Sequence, residues 1–353
     1  MAVLRPAGEF DTTYARDMAT IRRPWQWAAL FGFIAALYLL PVYASQSAVA
    51  LINRIGISII AVQGLNLLTG LTGQISLGQA AFMMTGGYLS ALLVSRLGWP
   101  FFAALPVAAL STGVIGLIFG LPSLRVKGFY LVMATLAAQF IIPWFSRNAF
   151  PEILGGAQGI VVQPPVVLGI EFNEPGRYLY LTVSVLILAT ILAYNVSRSR
   201  LGRAFVSIRD NDLAAELLGV NLFKHKLQAF FLAAVYAGVA GALSAHSLRH
   251  INSETFNLAT SVFLLGMLVV GGLGSNLGPI FGAVVVELLT EAATLFGPFF
   301  VGIFPAAAGG VQALRPLFFG TTLMLFLIFE PRGLAHRWQI FKAAWRLRPF
   351  SHT

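Results

Sequence analysis

The chain contains no cysteine, which excludes disulfide bonds, thiolate metal ligands and a cysteine nucleophile. Charge is almost as scarce: only 10% of the 353 residues are Asp, Glu, Lys or Arg, too few to cover a soluble protein of this length. Lysine is rarest among the cations. Its four occurrences are followed by Gly128, His225, Leu227 and Ala343, so none completes the Gly-Lys-Ser/Thr of a phosphate-binding loop. This chain is therefore not expected to hydrolyse ATP by that route. A basic cleavable leader is missing too, because Pro6, Glu9, Asp11 and Asp17 precede the first apolar run. The first span is expected to insert the chain directly. No catalytic cluster emerges anywhere.

What is abundant is apolar. The chain is 58% hydrophobic, with 35 glycines, 29 phenylalanines and a mean hydropathy of +0.80. That composition defines an all-α integral membrane protein. A spanning helix needs about 20 mainly apolar residues. Ten stretches qualify: 26–44, 47–69, 75–95, 101–121, 128–146, 178–196, 227–247, 257–273, 279–297 and 315–330. The net charge of +10 sits in short loops and tails rather than on one soluble face, so membrane lipid is expected as a partner and nucleic acid is not. With the N-terminus inside, seventeen of the 23 basic residues are cytoplasmic. They fall in a tail at 1–24, the loop 122–127, the loop 197–226 and a basic tail at 332–353. The membrane-spanning body then runs from 25 to 331, with both termini expected to be cytoplasmic.

The loop 197–226 holds IRDNDLAAELLGVN, residues 208–221, which reads like a soluble surface. Asp210, Asn211 and Asp212 offer N-cap oxygens, and Gly219 can take the left-handed conformation that ends a helix. At 100° per residue Leu213, Ala214, Leu217 and Leu218 share one arc, while Asp212 and Glu216 lie opposite, flanked by Ala215 and Gly219. Two turns do not hold together alone in water, so the segment must dock. It is either a short interfacial connector or a helix seated in a groove of a cytoplasmic partner.

LAAELLG, from Leu213 to Gly219, is similar to the E-A-A-x-x-x-G coupling loop of ABC importer permeases at both alanines and at the glycine. Leu213 stands where that pattern has glutamate, leaving Asp212 or Glu216 as the available acid. GLNLLTGLTGQISLGQAAF at 64–82, RVKGFYLVMATL at 125–136, GGAQGI at 155–160, LGRAF at 201–205, GGLGSNLGP at 271–279 and EPRGL at 330–334 extend the likeness over roughly residues 50 to 335. In this order they resemble the permeases of branched-chain amino-acid ABC importers, of the LivM type. The resemblance implies a bacterial cytoplasmic (inner) membrane subunit paired with a second permease, two cytoplasmic ATPases that use ATP and magnesium, and an external substrate-binding protein. It implies no cofactor or metal bound by this chain. The solutes it suggests are branched-chain amino acids, or relatives such as urea, amides and aromatic acids. It makes Asp212, Leu213, Ala214, Ala215, Glu216, Leu217 and Gly219 the ATPase-coupling residues.

GLTGQISLGQ has two readings. Its small residues permit tight turns and close helix packing, or it is a broken helix whose freed amides face a solute carboxylate. In the second reading Gly70, Gly73, Gln74, Ser76, Gly78 and Gln79 line the path, bordered by Thr135 and Gln139 at i, i+4 on one face. Gly155, Gly156, Gln158 and Gly159 are either a landing site for the binding protein or a plain loop. Glu287 and Glu291 sit four apart within a span, so they serve structure, as a protonated or paired acid, or a proton path. The latter would suit a stand-alone proton-coupled carrier or channel, the rival to an ATP-driven permease. His246 and His250, also four apart, are expected as an outer-surface pair without a third metal ligand. The cysteine-free background makes orientation measurable. A Glu216→Cys variant is expected to react with an impermeant maleimide in inside-out vesicles only; labelling from the outer face would rule out the topology.

Overall fold

The computed structural model describes residues 24–121, 129–167, 169–303 and 311–347, so the tail arginines before Pro24 and the basic loop 122–127 lie outside the described residues. Helices occupy all ten apolar stretches. They are α1 (Pro24–Tyr43), α2 (Gln46–Leu65, prolonged by a π-helical turn Asn66–Gly70), α3 (Gln79–Ser95), α4 (Phe101–Gly120) and α5 (Phe129–Asn148). A single turn, α6 (Pro151–Leu154), precedes the strands β1 (Ile160–Val161), β2 (Val166–Val167) and β3 (Ile170–Glu171). Then come α7 (Pro175–Arg198), α8 (Arg200–Asp210), α9 (Asp212–Leu217), α10 (Leu222–Leu248), β4 (His250–Ile251), α11 (Leu258–Gly271), α12 (Gly278–Ile303), α13 (Val311–Phe329) and α14 (Leu334–Leu347). Among the described residues six helices are long and apolar enough to cross a membrane: Pro24–Tyr43, Gln46–Gly70, Phe101–Gly120, Pro175–Arg198, Leu222–Leu248 and Gly278–Leu295.

Helix α10 is the axis of the bundle, packed against α2, α3 and α4. Its sequence explains why. Ala233, Ala234, Ala237, Gly238, Ala240, Gly241, Ala242 and Ala245 are all buried, giving a helix with almost no side-chain thickness. Lipid tails are as apolar as leucine, so helices in a bilayer gain by close backbone approach rather than by leaving water. Here the approach is extreme. Gly86 of α3 faces Gly238, a Cβ at Gly241 would run into the Met83 carbonyl, and one at Gly113 of α4 would stand 2.7 Å from Phe231 and Val235.

Three regions differ from expectation. The third span begins at Gln79, because residues 73–78 are irregular. The loop 197–226 holds two helices, not one. Ser199 caps α8 by accepting from the amides of Leu201 (3.2 Å) and Gly202 (3.4 Å), and the face carrying Gly202, Phe205 and Ile208 is buried. Within the expected basic tail, Leu334–Leu347 is a helix whose start is pinned by the burial of Ala335 against the bundle.

The glycine stripe makes a stability prediction. Gly241→Val is expected to lower the melting temperature of the detergent-purified protein by more than the usual overpacking cost of about 1–3 kcal/mol, because a backbone carbonyl cannot move aside as a side chain can. Gly32→Ala, where nothing lies within 4 Å of the added carbon, should be neutral or slightly stabilising.

Candidate functional site

The break between α2 and α3 is built from its own polar residues. Thr72 returns its hydroxyl to the Leu68 carbonyl, Thr69 donates to the Gln74 carbonyl (3.0 Å), and the Gln74 amide reaches the Leu68 carbonyl (3.3 Å). Gly73, at φ +72°, supplies the left-handed turn that reverses the chain. The amides that a helix start leaves unpaired are then satisfied from neighbouring helices. Thr135 accepts from Leu77 (3.0 Å), Ser261 from Ala80 (2.9 Å) and Gln139 from Ala81 (3.0 Å), while Ser76 accepts from Gly78 (3.3 Å). Gln139 also accepts from the Ser261 hydroxyl (3.0 Å) and donates to the Phe256 carbonyl (2.8 Å). Gln79 donates to the Ala61 carbonyl (2.9 Å).

The structure therefore gathers Gln74, Ser76, Gln79, Thr135 and Gln139 into one place, with every one of them buried. The amides freed at the break are occupied by side-chain acceptors. Two acceptors remain: among the described residues the carboxamide oxygens of Gln74 and Gln79 have no hydrogen-bond partner.

Below the break, four of the distinctive sequence blocks meet. Asn66 donates to the Ser275 carbonyl (3.0 Å) and accepts from the Gly274 amide (2.9 Å), binding the π-helical turn to GGLGSNLGP. Gly272 abuts Gly333 of EPRGL so closely that a Cβ at Gly333 would overlap its Cα. Arg209 of α8 donates to the Gly70 carbonyl (3.0 Å). Sequence reading missed Arg209, Asn66 and Ser261 as partners of the break; each contact joins segments more than a hundred residues apart, which no local pattern reports.

The helix α9 forms where expected. Asn211 provides the cap, accepting from the Ala214 amide (3.1 Å). At its other end Gly219 (φ +85°) and Val220 return their amides to Glu216 (2.9 Å) and Ala215 (2.9 Å), the paired closure that a left-handed glycine permits. Only Ala215 is buried; Asp212 is half-buried and sits 3.9 Å from Lys226. The leucine arc faces outward, with Leu213, Leu217 and Leu218 exposed by 64, 89 and 84%.

At the other end of the bundle Gly155, Gly156 and Gly159 all take positive φ, and the loop is fastened by the antiparallel pairing of β1 with β4 and by a hydrogen bond between His250 Nε2 and the Gln158 carbonyl (2.9 Å). Gln158 itself is exposed. His246 departs from the expected surface pair. It is buried, with its two ring nitrogens hydrogen-bonded to Ser90 Oγ (3.0 Å) and the Gln163 carbonyl (3.0 Å). Glu287 is paired: Arg54 of α2 reaches it at 2.8 Å and Glu291 at 2.6 Å, and Ser58 donates to Glu287 at 2.7 Å.

What this geometry describes is a multi-pass membrane protein, a helical bundle with an interruption between α2 and α3 and an apolar turn presented outside it. The family model "Branched-chain amino acid transport system / permease component" matches residues 47–327. The high-affinity branched-chain amino acid transport system permease protein LivM of Escherichia coli K12 is 31% identical over 330 residues, 86% of this chain and 74% of that protein. A probable LivM protein of Methanocaldococcus jannaschii is 25% identical, over 65% of this chain and 67% of its own length. The autoinducer 2 import permease LsrC of Salmonella paratyphi B is 26% identical, over 51% and 53%. A solved structure, PsaBC from Streptococcus pneumoniae in complex with Fab, aligns with a TM-score of 0.41 at 15% identity, covering 89% of this chain and 99% of that one. The chain belongs to the branched-chain amino-acid transport permease family. It is a permease component of an importer in the cytoplasmic membrane.

The network around Gln139 sets a test. Gln139→Leu removes three hydrogen bonds and leaves the Ala81 amide unpaired, at an expected cost of about 1–3 kcal/mol. Gln158→Leu, on the exposed loop, should stay within about 0.5 kcal/mol of the parent. Thermal unfolding of the two purified variants makes the comparison.

Proposed function

We propose that this chain is the translocation subunit for branched-chain amino acids or similar small zwitterions and amides, moved by ATPases that dock on α9. The outward leucine arc of α9 carries the proposal. Two exposed leucines on a helix of six residues and a third at its C-cap have no reason to stand in water, and each contributes roughly 1.5–3 kcal/mol when buried in a partner's groove. Leu213, Ala214, Leu217 and Leu218 form the apolar contact, Asp212 and Glu216 supply charge at its edge, and Ala215 and Gly219 hold the shape. ATP and magnesium belong to those partners; this chain binds neither.

In this reading all ten apolar helices cross the membrane and both termini are cytoplasmic. Residues 25–331 form the permease body, 197–226 its coupling loop, and 1–24 and 332–353 its tails. A second permease completes the path, and an external binding protein lands on the loop of Gly155, Gly156, Gln158 and Gly159. The solute passes the break at 70–79, where Gly70, Gly73 and Gly78 let the backbone approach and Gln74 and Gln79 present free carboxamide oxygens to an ammonium or amide donor. Ser76, Thr135 and Gln139 hold the closed form. The pairing of Glu287 with Arg54 suits a structural role for that acid rather than a proton relay.

The docking claim is tested on an exposed position, since Ala215→Glu would disturb packing inside the chain as well. Leu217→Glu is expected to leave the melting temperature of the isolated chain unchanged while weakening co-purification of the ATPases by tenfold or more, about 1.4 kcal/mol. Undiminished ATPase recovery would refute docking at α9.

A further inference from the structure

We infer that Arg209 is the positioning residue through which α9 opens and closes the break between α2 and α3, an inference that rests on the docking reading above. Arg209 is the penultimate residue of α8, and the next but one, Asn211, is the extended residue that caps α9. Any rotation of α9 about that joint therefore reaches Arg209 through two peptide units. From there each of its three guanidinium nitrogens makes a hydrogen bond. Nε and Nη2 grip Asp210 Oδ1 at 3.1 and 3.0 Å, and Nη1 donates to the Gly70 carbonyl at 3.0 Å.

Gly70 is the last residue of the π-helical turn, so its carbonyl lies at the negative end of the α2 helix, where a cation is favoured. The stem of Arg209 lies over Gly73, where an added Cβ would stand 3.1 Å from its Cγ. On its other side Nη1 would be 2.7 Å from a Cβ on Gly274. Both glycines have positive φ, so two left-handed turns from distant parts of the chain close around one side chain. Asn66 ties the same two segments together from the other side. Arg209 thus joins this pair of turns to the α8–α9 unit with a direct hydrogen bond.

Lysine cannot reproduce this arrangement. Its single ammonium cannot hold Asp210 with two nitrogens and reach Gly70 with a third. The role also explains why α8 is helical up to Asp210: a rigid lever carries displacement, whereas a flexible loop would absorb it.

The experiment uses the complete assembly with its partner permease and ATPases in proteoliposomes. Because the chain has no cysteine, a single Ile75→Cys change places one thiol on an exposed residue of the break. Its maleimide labelling rate is measured without nucleotide and with ATP–vanadate trapped on the ATPases. The parent rate is expected to change by roughly tenfold between the two states, the scale of a coupling free energy between sites. Arg209→Gln should abolish that change while ATPase recovery and basal hydrolysis stay within about twofold, and Arg209→Lys should fall between. An unchanged labelling ratio in Arg209→Gln would overturn the inference, as would a parent ratio near one. Loss of ATPase recovery in Arg209→Gln would also overturn it, by making the residue part of assembly. Leu217→Glu separates the two claims: if it releases the ATPases while Arg209→Gln labels like the parent, docking stands and the Arg209 linkage falls.

Discussion

A chain inside a bilayer cannot leave a backbone amide unpaired, because no water is there to accept it and each orphan costs several kcal/mol. Most of this protein meets that constraint by staying helical. Residues 73–78 do not, and the rest of the central architecture follows from that departure. Leaving the helix frees amides at Leu77, Gly78, Ala80 and Ala81, and each is answered by a hydroxyl or carboxamide oxygen. Thr135 and Gln139 on α5 and Ser261 on α11 supply three of those oxygens, so the break sets where both helices must pack. A helix interruption in the bundle thus costs the protein a shell of polar side chains, brought from three parts of the chain.

The second constraint is thickness. Side chains short enough to reach those amides require the helices to lie close, and α10 provides the closeness with its run of alanine and glycine. Where α3 and α10 cross at Gly86 and Gly238 there is no room for a methyl group. Large residues also stand on the outer faces of α1, α4, α5 and α13, where Phe33, Phe102, Trp144 and Met324 are exposed as lipid- or subunit-facing groups should be. A small-residue helix at the centre of the contacts, with bulky groups also on the outer faces, is what membrane packing without a water-driven core permits.

These features were unequally visible in the sequence. Apolar run length located all ten helices, since hydropathy integrates over about 20 residues and tolerates local irregularity. The glycines and amides of GLTGQISLGQ marked the break, and the period of four leucine-arc positions marked α9. Helix α8 escaped because its arginines read as loop charge, although Leu201, Phe205 and Ile208 already show the i, i+4, i+7 spacing of a buried face. Three facts were beyond reach for a different reason. Glu287 finds Arg54 across 233 residues, Gly70 finds Arg209 across 139, and His246 is drawn inward by Ser90 across 156. Periodicity reports which face of a helix is buried, not which distant side chain waits there. Ala215 shows the limit at the smallest scale: its helical position was readable, but its inward direction depends on where α10 stands.

The break is also where motion is least expensive. Opening a continuous helix in lipid would strand its amides, whereas the amides of Leu77, Gly78, Ala80 and Ala81 are paired with side chains rather than with a preceding helical turn. Conversely, the segments on either side of the break are rigid, one ending in the π-helical turn tied to Gly274 and the other in the densely packed start of α3. A rigid body with a soft seam responds to force at the seam. In the proposed function the exposed leucine arc of α9 and the side-chain-bonded interruption are two parts of one device, a handle outside the bundle and a seam that yields to it.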